Sequence, residues 1–316
     1  VSALAFTVLA VFFAGPAPAL LARATWPHRA PRAAMVLWQA VALAAVLSAF
    51  SAGIAIATRV LMPGADGRPT ASIIDAEERL GWPLWATYMG VFTLTVLVGV
   101  RLMVALARVA IANRRRRAHH RMVVDLVGVG HDAVLTEPCA GTRDLRVLDV
   151  AQPLAYCLPG VRSRVVVSEG TLNVLADNEV AAILTHERAH LRARHDLVLE
   201  AFTAVHAAFP RLVRSANALR AVQLLAELLA DDAAVRATGR TPLARALVAC
   251  ASGRAPSGAL AAGGHSTVMR VRRLSGRGNS MMLSVAAYLA AAAVIGVPTV
   301  AVVVPWLTEL QRLFTL

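Results

Sequence analysis

Four uncharged stretches of this chain are each long enough to cross a bilayer: Val1 to about Ala22, Ala33 to Ala57, Leu84 to Val100, and Met281 to about Thr308. About 20 consecutive apolar residues suffice for a crossing. In hydrocarbon each such stretch must pair its own backbone groups, so it has to be a helix. The third extends to about residue 108, with Arg101 and Arg108 reaching back to the interface. The first lacks a basic start and has a poor cleavage context at Ala17-Pro18-Ala19, so it reads as a retained span rather than a signal peptide. Hydrophobic residues make up 57% of the sequence and charged residues 16%, too apolar for an ordinary soluble domain. The expected organisation is three transmembrane helices in 1–112 (about 1–22, 33–57 and 84–108), a domain over 113–280, and a fourth span with a short tail over 281–316.

Orientation follows from arginine, since the sequence has no lysine. Arg114 to Arg117 and Arg121 follow the third span, and Arg270, Arg272, Arg273 and Arg277 precede the fourth. Basic residues beside spans stay on the cytoplasmic side. The 113–280 domain is therefore expected in the cytoplasm of a multi-pass plasma-membrane protein. Both termini and the 58–83 loop, which carries Asp66, Asp75, Glu77 and Glu78, are expected outside. The net charge of +13 raises nucleic acid as a partner. The arginine run abuts a span, however, and no aromatic residues interleave it, so anionic membrane lipid is the nearer partner. Direct nucleic-acid binding is not expected.

Within 113–280, Val123 to Val127 and Arg146 to Val150 read as short strands. Leu154 to Leu158 and Arg164 to Val167 read as a strand pair joined through Pro159-Gly160. From Thr171 to about Ala249 the pattern is helical, which gives an α+β domain inside a mostly α protein. Ala251 to Gly264, rich in Gly, Ala, Ser and Pro, reads as a flexible linker back to the membrane. Cys139, Cys157 and Cys250 are scattered and odd in number, as expected of reduced thiols, and Cys157 reads as a packing residue.

The chemistry is concentrated in His186-Glu187-Arg188-Ala189-His190, within a helix entered through Asp177-Asn178-Glu179, where Asp177 or Asn178 can act as the cap. Residues i and i+4 share a helix face, so two imidazoles can hold one metal ion while the intervening glutamate deprotonates its water. A catalytic zinc usually takes three protein ligands and a water. Glu227, in the helical run Leu219 to Val235, is a candidate third ligand, although it also fits a solvated acid on an amphipathic helix. Asp231, one turn later, can hold the free nitrogen of an imidazole. His195 lies about 140° around a continuous helix from His190, so it is not expected on the same metal. With Asp196 it forms either an orienting pair or a solvated turn. His206 reads as a core or interfacial histidine.

These residues resemble a known family. T-H-E-R-A-H, H-D at 195–196, and E-L-L-A-D-D at 227–232, with three spans before and one after, are similar to the BlaR/MecR-type membrane zinc metallopeptidases. These are gluzincins and antirepressors, related more distantly to HtpX-type peptidases. The resemblance implies a gluzincin-like zinc protease domain with His186, His190 and Glu227 holding Zn2+ and Glu187 as general base. It implies that Asp231 is the acid following the ligand glutamate by four residues, while His195 and Asp196 stay open between an orienting pair behind the metal and a solvated turn. Leu154, Ala155, Tyr156 and Cys157 would form the edge strand on which an extended substrate aligns by β-augmentation. The implied partner is a protein substrate, a cytoplasmic winged-helix transcriptional repressor. About ten residues follow the fourth span, with no penicillin-binding sensor domain among them, so the stimulus is expected from a sensor partner, the 58–83 loop or the membrane. Membrane-protein quality control, as by HtpX-type enzymes, is the alternative activity. The non-enzymatic alternative is a membrane scaffold or transducer with a structural metal.

Overall fold

A computed structural model describes residues 2–60, 81–130, 144–210, 215–252, 260–261, 267–276 and 278–314. Residues 61–80 of the expected outer loop, together with His131, Cys139, His265 and Arg277, lie outside the described residues. Among the described residues, four helices are long and apolar enough to cross a membrane: Leu4–Arg23, Pro31–Gly53, Trp82–Val127 and Met281–Val300. Helices of that length and composition mark a membrane protein.

The first is built from α1 (Ser2–Ala14) and α2 (Pro16–Arg23), which meet at Gly15. Pro16 opens α2, where its missing N–H leaves no helical bond unmade. A short 3-10 turn at Trp26–Arg29 leads into α3 (Pro31–Val60). The third is part of α4 (Trp82–Val127), a single helix of 46 residues. Val123 to Val127, expected as a strand, is the last turn of α4 instead. The β-branched pair there suggested a strand, but packing overrides propensity. Val124 is buried against Tyr156, Leu158 and Val166, and the helix ends at Gly128.

The domain sheet has the order β1 (Val129–Gly130), β2 (Leu145–Leu148), β4 (Arg164–Ser168), β3 (Ala155–Leu158), β5 (Leu260–Ala261). Strands β3 and β4 form the expected antiparallel pair, with Tyr156 opposite Val166. Strand β2 runs parallel to β4, with Leu145 opposite Val165. Two expectations change here. Leu260–Ala261 is a strand rather than part of a flexible linker, and it pairs with β3, Tyr156 opposite Ala261 and Cys157 opposite Leu260. Strand β3 is therefore not outermost along Tyr156 and Cys157. The physical reason is the cost of leaving the backbone groups of a buried strand unpaired.

Helix α5 (Glu169–Val174) leads to α6 (Asp177–Ala193), which carries the histidine pair, and then to α7 (His195–Ala208). The cap of α6 differs from expectation. Ala176 is the capping position, and its N–H donates to the Glu179 carboxylate at 3.2 Å. Asp177 and Asn178 are already inside the first turn, where the charges of Asp177 and Glu179 interact favourably with the positive end of the helix dipole. Next come α8 (Ser215–Thr238), α9 (Arg240–Ala249), α10 (Thr267–Ser275) and α11 (Met281–Phe314).

One core joins the sheet to α6 and α9 through Val165, Val167, Ile183, Leu243 and Leu247. A second joins α8 and α7 to the second span, with Trp38 and Met35 of α3 packed among Phe202, Leu225 and Leu228. Trp38 and Phe202 meet edge to face, ring centroids 6.4 Å apart, an arrangement aromatic pairs favour. Helix α8 thus has α6 on one side and the apolar helix α3 on the other.

Candidate metal centre

His186 and His190 sit one turn apart on α6 and their rings meet edge on, which brings the two Nε2 atoms to 3.3 Å. Helix α8 supplies the third group. Glu227 Oε2 lies 3.5 Å from His186 Nε2, and Oε1 lies 3.5 Å from His190 Nε2. Donors set tetrahedrally at zinc's usual 2.0–2.1 Å stand about 3.3–3.4 Å apart. The spacing fits, and the three residues form a group that can hold a metal ion.

The charge state fits as well. Burial works against a charge on His186, but Asp231 and Glu227 outweigh it and lift the imidazole to about 9. Burial lowers His190 to about 3, with His186 adding to the shift. Glu227 is held at about 2 despite its burial, by His190, His186 and Arg270. Glu227 and the two imidazoles thus converge on one point, where a proton on His186 and the Arg270 guanidinium supply the positive charge that a cation would bring.

Glu187 is fully buried, and no well-formed hydrogen bond reaches either of its oxygens. Burial, with the Glu227 charge added, raises its carboxyl to about 7 against the pull of His186 and Arg270. A carboxylate left in this state is costly unless something else uses it, and groups perturbed this way cluster at reactive sites. Cys157, across from Glu187 on β3, is buried, and its thiol is pushed well up by burial and by Glu187. It stays a neutral thiol, a weak donor beside the glutamate.

Asp231 lies one turn beyond Glu227, with Oδ1 3.1 Å from His186 Nδ1. His195 also reaches the site. Helix α6 stops at Arg194, whose backbone is left-handed (φ 53°), and α7 starts in a new direction. The 140° separation assumed a continuous helix. With the helix broken, His195 turns back, and its Nδ1 sits 3.0 Å from His190 Nδ1 on the side away from Glu227. His195 is buried, which rules out the solvated turn. Asp196 is directed elsewhere. Its Oδ2 accepts from Arg117 Nη1 at 3.2 Å, while Arg117 Nη2 bonds Glu200 at 2.8 Å, tying α7 to α4.

Of the four expected edge-strand residues, Leu154 precedes β3 and the other three divide by face. Ala155 packs in the core beneath α6, and Cys157 faces Glu187. Tyr156 points the other way, among Val124, Leu158 and Val166, with its hydroxyl 2.9 Å from His120 Nε2. Leu154 packs at the margin of that second cluster, and its N–H donates to Ser168 Oγ at 3.0 Å.

Arg270 belongs by sequence to the basic cluster before the fourth apolar stretch, yet it points inward. It is 1% exposed. Its Nε and Nη2 donate to the two Asp231 oxygens at 2.8 and 2.6 Å, and its Nη1 lies 2.8 Å from Glu227 Oε2. Its Nη2 is also 3.4 Å from His186 Nε2. A signal was present in the sequence: Thr267, Arg270 and Leu274 share one face of α10 and all three are buried. An arginine on a buried face requires acids opposite it, and Glu227 and Asp231 stood among leucines and alanines on one helix.

Residues 140–278 match the profile of peptidase family M48. That segment contains every residue of the cluster from His186 to Arg270 and excludes the four apolar spans. Peptidases of the family are zinc-dependent, which agrees with the His-His-Glu group found in the fold. The M48 match supports a membrane-type zinc metallopeptidase. No curated protein and no solved structure matches the chain.

Proposed function

We propose that this chain is an integral-membrane zinc endopeptidase in which His186, His190 and Glu227 hold the metal and Glu187 is the general base. The observation that carries this reading is the convergence of three side chains from two helices, their Nε2 and carboxylate oxygen atoms 3.3 to 3.5 Å apart, beside a buried carboxylate that no well-formed hydrogen bond reaches. Bound there, zinc would polarise the scissile carbonyl and lower the pKa of a coordinated water to about 7.

The remaining steps fall to the chain itself. Glu187, held near 7 by burial and neighbouring charge, can take a proton at neutral pH and return it to the leaving nitrogen. Asp231 fixes the His186 ring through Nδ1, and His195 meets His190 from behind. Each contact sets which ring nitrogen faces the metal. Arg270 neutralises the two acids and anchors the carboxylate of Glu227.

For the substrate, we infer a cytoplasmic winged-helix repressor, a reading that rests on the resemblance to BlaR/MecR-type antirepressors. The quality-control alternative uses the same centre on misfolded membrane proteins. Zinc content and cleavage separate these ideas when measured on the full-length protein in nanodiscs. A protein with about one zinc per chain that cuts the repressor encoded beside it, and whose Glu187→Gln variant keeps the zinc and cuts nothing, supports the regulatory peptidase. Cleavage of unfolded membrane proteins with the repressor left intact points to quality control. A protein without zinc would sink the zinc-peptidase reading, and a Glu187→Gln variant with full activity would remove Glu187 as its base.

A further inference from the structure

Three arginines that the peptidase reading does not use gather around one concavity. Behind the metal centre a cavity of about 630 Å³ opens between the domain and the starts of the second and fourth spans. Arg32 of α3, Arg192 of α6 and Arg236 of α8 all line it. All three are exposed, and none has an ion-pair or hydrogen-bond partner among the described residues. The one acid in the wall, Asp232, is already paired with Arg273 at 2.7 Å and accepts from the Asn279 amide at 2.9 Å. Three unpaired guanidinium groups thus converge on one concavity with no free acid to oppose them. Guanidinium groups recognise phosphoryl oxygens through paired donors.

The position of the cavity narrows the ligand. Ser280 N–H donates to the Arg29 carbonyl at 2.8 Å, so the starts of the second and fourth spans lie side by side. Pro31 and Ser284, from those two helices, both line the cavity. Neither helix has an acid in its first turn, so two positive dipole ends add to the arginines. From this level α3 and α11 present exposed apolar side chains such as Val36, Leu43, Val285 and Leu289. A phosphoryl group seated among the arginines and continued by acyl chains would lie along those faces. A free phosphate would leave them bare.

We propose that this cavity is a binding site for the phosphoryl headgroup of an anionic phospholipid. The site holds the domain against the membrane at the two span starts, and it stands whether or not the metal centre is catalytic. A juxtamembrane arginine near an anionic surface contributes about 1 kcal/mol, so three together correspond to roughly a hundredfold in affinity.

The test uses the full-length protein in phosphatidylcholine nanodiscs, with bound phosphatidylglycerol counted by native mass spectrometry. The R32Q/R192Q/R236Q variant is compared with R114Q/R115Q/R116Q, which removes the same charge from exposed juxtamembrane positions outside the cavity. Thermal unfolding of both variants reports on fold; all six side chains are exposed, and loss of folding in neither is expected. The expected result is a loss of at least about tenfold in phosphatidylglycerol affinity for the cavity variant, and less than about threefold for the other. Equal losses in the two would overturn the proposal in favour of diffuse surface charge. Displacement of phosphatidylglycerol by glycerol phosphate or inorganic phosphate at equal concentration would overturn the lipid as occupant.

Discussion

Arg270 and Asp231 face each other across α10 and α8 in a two-point ion pair, Nε to Oδ2 at 2.8 Å and Nη2 to Oδ1 at 2.6 Å, with both side chains 1% exposed. Cutting one partner of such a pair strands a buried charge, which costs about 3–5 kcal/mol. Arg270→Met should lower stability by that amount and leave Glu227 as well as Asp231 without its cation. Arg270→Met with Asp231→Leu should recover part of the loss. The check is thermal or denaturant unfolding of the four proteins as a double-mutant cycle. Single variants as stable as the parent would remove Arg270 from the account of the site.

His195 is predicted to act through His190 rather than on the metal. Removing a group that orients a ligating imidazole typically costs 10–100-fold in metal affinity. His195→Ala should weaken zinc binding by about that factor, and His195→Asn, which keeps an acceptor, should restore part of it. Competition with a chromophoric chelator measures both. An unchanged zinc affinity in His195→Ala would make the 3.0 Å contact a packing detail.

Metal binding should release a proton. Burial opposes charge on His186, but Asp231 and Glu227 lift its pKa to about 9, so below that pH the metal-free imidazole is charged and must give up its proton to a cation. Apparent zinc affinity therefore rises with pH through neutrality and levels off near 9. Calorimetry at pH 7 in buffers of different ionisation enthalpy should find about one proton released per zinc. Release of none would mean that His186 is already neutral.

Gly170 tests the route from the sheet to α6. A side chain at this position would place Cβ 2.0 Å from the Ala151 carbonyl oxygen, while the Gly170 N–H donates to Val150 at 3.0 Å. Backbone cannot yield as a flexible side chain can. Gly170→Ala should destabilise the domain by roughly 1–3 kcal/mol, the usual cost of overpacking, visible as a lower unfolding midpoint. A neutral substitution would show that the segment around Ala151 moves freely.

Much of the centre was legible along the chain because helical periodicity is local. Four residues separate His186 from His190 and four separate Glu227 from Asp231, so each pair declares its shared face before any tertiary structure is known. The β3–β4 pair was equally plain, since short apolar runs flanking a Pro-Gly turn leave few alternatives. What failed depended on distant partners. Val123 to Val127 has strand composition but is helical because Val124 has a sheet to pack against. Leu260–Ala261 carries a linker's composition but is a strand because β3 had unpaired backbone to offer.

Local spacing by itself determined that this chain has spans too apolar for water and a helix presenting two imidazoles on one face. Only the tertiary structure decided that Arg270 leaves the basic cluster to neutralise two buried acids, and that a left-handed Arg194 turns His195 back onto His190. Those outcomes follow from pairing and burial energies between residues far apart in sequence or across a break in the helix, and periodicity records neither.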